Sequence, residues 1–142
     1  MIPRADIGAV EINDSFEKVL EVFIKEAHSR VPVYEKNIDN IIGMVHIKDL
    51  VNYQYHNKIE DNFLRDLKRD ILEIPPSMPV LDLLLKMQIT RLHMGIVIDE
   101  YGCTDGLLTI EDEIEEITGE IEDEHDEKNL PMLIKSSSNT RN

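Results

Sequence analysis

Three features of the sequence predict an α+β fold of two similar halves, packed sheet to sheet about a pseudo-twofold axis. The first is an internal repeat: displaced by 64 residues, Phe16, Val19, Leu20 and Phe23 fall on Val80, Leu83, Leu84 and Met87, and Pro32 to Glu35 fall on Ile96 to Asp99. The second lies past the turn, where the displacement becomes 63 and lays Gly43 and Asp49 on Gly106 and Asp112, as though the second turn were one residue shorter. The third is the size of each unit, a β-α-β-β-α run that buries too little apolar surface to stand alone. The halves are therefore expected to share an inter-sheet core, with equivalent clefts between them.

At 142 residues the chain has room for one compact domain, or for two small halves sharing a core. A hydrophobic share of 42% and a charged share of 31% are those of a soluble globular protein, and with three Phe and no Trp the core must be aliphatic. The formal charge of -14, from 29 acidic and 15 basic residues, argues against nucleic acid and anionic membranes as partners, since both need a basic footprint. Cys103 is the sole cysteine, so no internal disulfide forms and a reducing compartment is expected. The sequence shows neither a signal peptide nor an apolar run near the about 20 residues that span a bilayer, so this segment is not expected to insert in a membrane.

Met1 to Ile12 reads as an extended lead-in, because Pro3 biases its predecessor away from helix. Asp14 or Ser15 caps a helix that runs to about Ala27, with Phe16, Val19, Leu20, Phe23 and Ile24 on one face. Val31 to Tyr34 is a strand, Glu35 to Asn40 a polar turn, and Ile41 to His46 the returning strand. A second helix begins near Ile47 and carries Asp49 in its first turn. The polar residues 52–70 read as a solvated connector with one short helix. Ile74-Pro75-Pro76 matches the first lead-in, and Pro79 opens the helix of Val80, Leu83, Leu84 and Met87. Glu100 to Asp105 has the Gly and Asp of a hairpin connection. These elements divide the chain into a first half with its connector (1–68), a second half (69–127), and a linker or disordered tail toward a further domain (128–142).

The stretch Gly106-Leu107-Leu108-Thr109-Ile110-Glu111-Asp112 is a strand that ends in a hydroxyl residue and turns at once into a helix. Free backbone N–H groups at such a helix start, beside a hydroxyl and a carboxylate, suit a nucleotide's phosphate and ribose. Thr109-x-x-Asp112 is equally a capping box with Asp for the usual Glu or Gln, and one residue pair can serve both ends. The helix continues through Ile114, Ile117 and Ile121, with eleven acidic residues between Glu111 and Glu127. These carboxylates invite a divalent-metal reading. Against it stand the lack of an EF-hand glycine and the commonness of acids on a solvated helix face.

Two copies of lead-in, helix, strand-strand and Gly-to-Asp element resemble a pair of CBS domains, the Bateman module. Arg91 to Gly102, Gly106 to Asp112 and Glu115 to Ile121 are similar to the CorC/hemolysin C (TlyC-like) family, as are Met1-Ile2-Pro3-Arg4-x-Asp6-Ile7 and Arg30-x-Pro32-Val33-Tyr34. The likeness covers about residues 1–127. It implies a bacterial protein linked to magnesium and cobalt efflux or carrying a hemolysin label, with a membrane domain and a small C-terminal domain outside this chain. It further implies a regulatory module, not an enzyme, at the cytoplasmic face of the inner membrane, which binds adenosine nucleotides and forms a disc-shaped homodimer.

The resemblance also assigns a site. Asp112 takes the ribose hydroxyls, and Thr109 approaches ribose or phosphate. The adenine pocket falls to Asp6, Ile7 and Gly8 of the first lead-in, to His28, Ser29, Arg30 and Pro32 at the first strand, and to His93 and Met94 at its counterpart. Arg30 suits a phosphate, or is a surface arginine before a strand. His28 and His93 are ligands or polar boundary residues. In the first half His46 replaces the hydroxyl residue, so a second site around Asp49 lacks the cap, and one nucleotide per chain is expected. A chain at -14 repels a bare polyphosphate, so ATP is expected to bind with Mg²⁺ and AMP without metal. Two alternatives stay open at this point: a structural dimerisation module with vestigial pockets, and a direct divalent-metal sensor built on the acidic C-terminal helix. Catalysis by His28, His46 and His93 finds no nucleophile motif, HExxH or cysteine cluster to support it.

Overall fold

A computed structural model describes residues 1–109; Asp112, the acidic run 111–127 and the tail 128–142 lie outside the described residues. The chain opens with strand β1 (Ile2–Pro3), a single 3-10 turn (Arg4–Asp6) and β2 (Val10–Glu11). Helix α1 (Phe16–Glu26), β3 (Arg30–Glu35), β4 (Asn37–His46) and α2 (Ile47–His56) complete the first half. The short α3 (Phe63–Leu67) leads to β5 (Leu72–Ile74), α4 (Val80–Thr90), β6 (Met94–Ile98) and β7 (Thr104–Thr109). Among the described residues no helix is long and apolar enough to cross a membrane.

Two sheets form, ordered β2-β3-β4 and β1-β7-β6-β5. In each, a parallel pair stands beside an antiparallel hairpin. The parallel registers, Val10 opposite Val33 and Ile74 opposite Val97, are one repeat apart. Ile74 is therefore the counterpart of Val10, near the end of the first lead-in, and not of its opening Ile2-Pro3.

The start of the lead-in has another destination. β1 crosses to the second half, where Ile2 pairs with Leu107 and Pro3 with Gly106. The connector returns the exchange, since the Met44 N–H reaches the Arg69 carbonyl at 2.9 Å and the Arg69 N–H reaches the Met44 carbonyl at 2.7 Å. Both glycines of the repeat make room for these crossings. A Cβ on Gly43 would lie 2.5 Å from the Arg69 carbonyl oxygen, and one on Gly106 would lie 2.9 Å from that of Ile2.

Period-two alternation sorts the strand side chains. Val31, Val33 and Val45 pack with Val19 and Phe23 of α1, while Val97 and Leu108 pack with Leu83 and Met87 of α4. The opposite sheet faces meet through Ile41, Met44, Met94, Ile96 and Leu107. This is the α+β arrangement of two halves packed sheet to sheet that the repeat predicts. Ser15 starts α1 by accepting the Lys18 N–H at 3.2 Å, and Ala27 (φ 57°) and Arg91 (φ 60°) end α1 and α4 alike in the left-handed region.

Three local expectations give way. Ile24 lies off the buried face, at 74% exposure. The polar turn shrinks to Lys36 (φ 76°), because β4 begins at Asn37 and pairs back onto Glu35. Residues 52–70 are mostly exposed and carry the expected short helix, but they do not stand apart from the core: α2 runs on to His56, and Phe63 and Leu64 are buried in the first-half core.

A polar clasp locks the exchanged end. Arg4 holds both carboxylate oxygens of Asp39 and donates to the Thr104 carbonyl at 3.2 Å. Asp39 Oδ1 accepts the Thr104 N–H at 2.9 Å, and buried Thr104 donates its hydroxyl to the Ile38 carbonyl at 2.8 Å. The hydrogen bond from Arg4, followed by that from Thr104, holds the Asp39 carboxyl below its ordinary value. A depressed folded pKa gives stability that is full above the ordinary carboxylate range and is lost as pH falls through the folded pKa. Asp39→Asn is thus expected to lower the melting temperature at neutral pH, with a gap to wild type that shrinks in acid. Thermal melts from about pH 7 to about pH 2 check this, and a gap independent of pH would refute it.

Candidate functional site

Past Ala27 the chain turns into β3 and brings His28, Ser29 and Arg30 together at the strand's start. Ser29 is fixed there through its carbonyl, which accepts the Ile47 N–H at 2.8 Å. From the other half, β6 begins at Met94 and β7 ends at Thr109, while the exchanged β1 lays Ile2 beside Leu107. Together they line a cleft of about 530 Å³. Ile2, Ala27, Met94 and Leu107 supply its apolar surface, and His28, Ser29, Arg30 and Thr109 its polar groups.

Arg30 Nη2 lies 3.1 Å from His93 Nδ1. A guanidinium only donates, so this contact makes Nδ1 the acceptor and leaves the ring proton on Nε2. A guanidinium and an imidazole from opposite halves are thereby set side by side at the seam.

Five expected residues, His28, Ser29, Arg30, Met94 and Thr109, line the cleft, and His93 joins it through Arg30. Four do not line it. Pro32 is buried in the sheet opposite Met44, and Ile7 packs onto the inter-sheet cluster. Asp6 is exposed at the end of the 3-10 turn, and Gly8 backs onto the Glu26 side chain. Asp112 lies outside the described residues. Ile2, Ala27 and Leu107 escaped the sequence reading. Leu107 is signalled by alternation, two residues before Thr109 on the same strand face. Ile2 has no local signal, because its place depends on the crossing of β1.

In the first half the expected missing cap is present. His46 Nδ1 accepts the Lys48 N–H at 3.0 Å, so an imidazole does what a hydroxyl would. Burial first, then the charges of Arg30 and Arg69, push the His46 pKa down, which keeps the ring neutral and able to accept. Asp49 is held by Arg69, whose Nε and Nη2 donate to its two oxygens at 2.6 and 2.8 Å.

The family model of the CBS domain matches residues 1–56 and 64–116. This chain belongs to the CBS-domain family. The CBS pair is 45% identical over 129 residues to hemolysin C of Rickettsia prowazekii, an alignment covering 90% of this chain and 42% of that protein. It spans less than half the length of such curated relatives. Among solved structures, the CBS domain of the bacterial CNNM/CorC family Mg²⁺ transporter in complex with ATP is 35% identical, with a TM-score of 0.77 over 84% of each chain. A CBS-domain pair with bound AMP from Klebsiella pneumoniae is 28% identical, with a TM-score of 0.67 over 82% of this chain and 93% of that one.

Proposed function

We propose that this CBS pair binds an adenosine nucleotide, ATP with Mg²⁺ or AMP, and so regulates a CorC-like divalent-cation (magnesium or cobalt) transport protein, or a hemolysin-related one, of which it is part. The cleft carries this reading. It gathers apolar residues from both halves for a base, with hydroxyl, imidazole and guanidinium groups for ribose and phosphate. Its volume falls within the about 300–1,000 Å³ usual for small-molecule sites. Two relatives of the same fold were solved with ATP and with AMP. On this reading the module works as a homodimer at the cytoplasmic face of the bacterial inner membrane, beside a membrane domain of its own protein. It binds nucleotide without turning it over.

Calorimetric titration with ATP, ADP and AMP, with and without Mg²⁺, is expected to show one site per chain and an ATP affinity raised by Mg²⁺. Thr109→Ile replaces the hydroxyl with a bulkier ethyl group in the cleft. It is expected to weaken binding about tenfold or more, or about 1.4 kcal/mol, in a protein that still melts cooperatively. Failure of every adenosine nucleotide to bind at millimolar concentration would refute the reading and leave a structural dimerisation module.

A further inference from the structure

We infer that Arg69 closes the first-half cleft by occupying Asp49, so that one side chain sets the number of nucleotide sites in the pair. The inference rests on the nucleotide reading above. Pseudo-symmetry makes position 69 the counterpart of position 2: Ile2 pairs with Leu107 on β7, and Arg69 bridges to Met44 on β4. Met44 and Leu107 are themselves equivalent under the repeat's displacement of 63 residues. At this shared position the second half receives an aliphatic chain that lines an open cleft. The first half receives a guanidinium.

Arg69 takes both oxygens of Asp49, the acceptors that a ribose's two hydroxyls need in that half. The contact is a bidentate fork, the strongest geometry for such a pair. Its backbone is locked to Met44 in both directions, at 2.7 and 2.9 Å, so the side chain is presented to Asp49 from a fixed base. The surface hollow that Asp49 and Arg69 border draws on α2 and on residues 66–69 and takes nothing from β6, whereas the open cleft draws on both halves. His46 is not the block, since it caps α2.

Calorimetric titration with ATP and Mg²⁺ tests this on wild type, Arg69→Met, Asp49→Asn and the double variant. Arg69→Met keeps the apolar stem and removes the fork, and Arg69→Gln serves the same purpose should the Met variant fail to fold. The folded Arg69 variant is expected to bind one more nucleotide per chain than wild type. Asp49→Asn alone is expected to keep the wild-type number, and the double variant to return to it, because the freed carboxylate is gone. An Arg69 variant that titrates at the wild-type number of sites overturns the inference, whatever that number is. A wild type with no site refutes the nucleotide reading instead.

Discussion

Phe63→Ala is expected to lower the unfolding free energy by about 3–5 kcal/mol, the range for emptying a buried phenylalanine site. The ring is 1% exposed. It lies 5.6 Å from Phe16 in a tilted pair and 5.7 Å from Tyr53 in a stacked one, so its removal leaves two aromatic neighbours facing a void. Aromatic pairs of this geometry add about 0.5–1.5 kcal/mol beyond the area they bury. Helix α3 spans only five residues, too few to hold itself without tertiary packing. The damage should also spread. The Tyr53 hydroxyl donates to the Lys58 carbonyl at 3.2 Å and accepts the Glu60 N–H at 2.9 Å, so a loosened Tyr53 releases the loop that leads into α3. Leu81→Ala, at a side chain 70% exposed on α4, is the control and should stay within about 0.5 kcal/mol of wild type. Urea denaturation measures both, and a loss below about 1 kcal/mol for Phe63→Ala would overturn the assignment of the connector to the core.

That assignment marks where the sequence stops being legible. The halves could be read because their signals are local: helical spacing in Phe16, Val19, Leu20 and Phe23, and alternation along the strands, recur one repeat later. Phe63 and Leu64 carry no such period. They sit among Asp, Asn, Arg and Lys, and only the space left beside α1 and α2 draws them inward. The cleft divides in the same way. Thr109 was legible as chemistry at the end of a strand and Arg30 through the family resemblance, whereas Ile2 becomes part of the cleft only through a pairing with a strand more than a hundred residues away. Long-range pairing also moved β1, the start of the first lead-in, out of the half to which its sequence order assigned it. The Arg69 fork on Asp49 was hidden for a related reason, because the bridge to Met44 places residue 69 beside a carboxylate twenty residues earlier.

Gly106→Val is expected to weaken nucleotide binding through the backbone of β1, although residue 106 does not itself line the cleft. Its φ lies outside the left-handed region, and valine is favoured in strands, so propensity alone would predict a harmless or stabilising change. Close approach reverses that sign. A Cβ at this position meets the Ile2 carbonyl at 2.9 Å and the Met1 Sδ at 2.5 Å, and the carbonyl belongs to a strand that cannot rotate away as a side chain can. The strand must lift, at about 1–3 kcal/mol for an overpacked site. Lifting β1 breaks the pairing of Ile2 with Leu107 and withdraws Ile2 from the cleft that both line. Binding of ATP with Mg²⁺ should then weaken about tenfold or more. Gly43→Val makes the same steric error in the other half, against the Arg69 carbonyl at 2.5 Å, and should lose similar stability while sparing the second-half cleft. Thermal melts and titrations on the two variants separate the cases. Equal melting losses with unequal nucleotide affinities are expected if the exchanged strand builds the site, and equal affinities would show that Ile2 is packing alone.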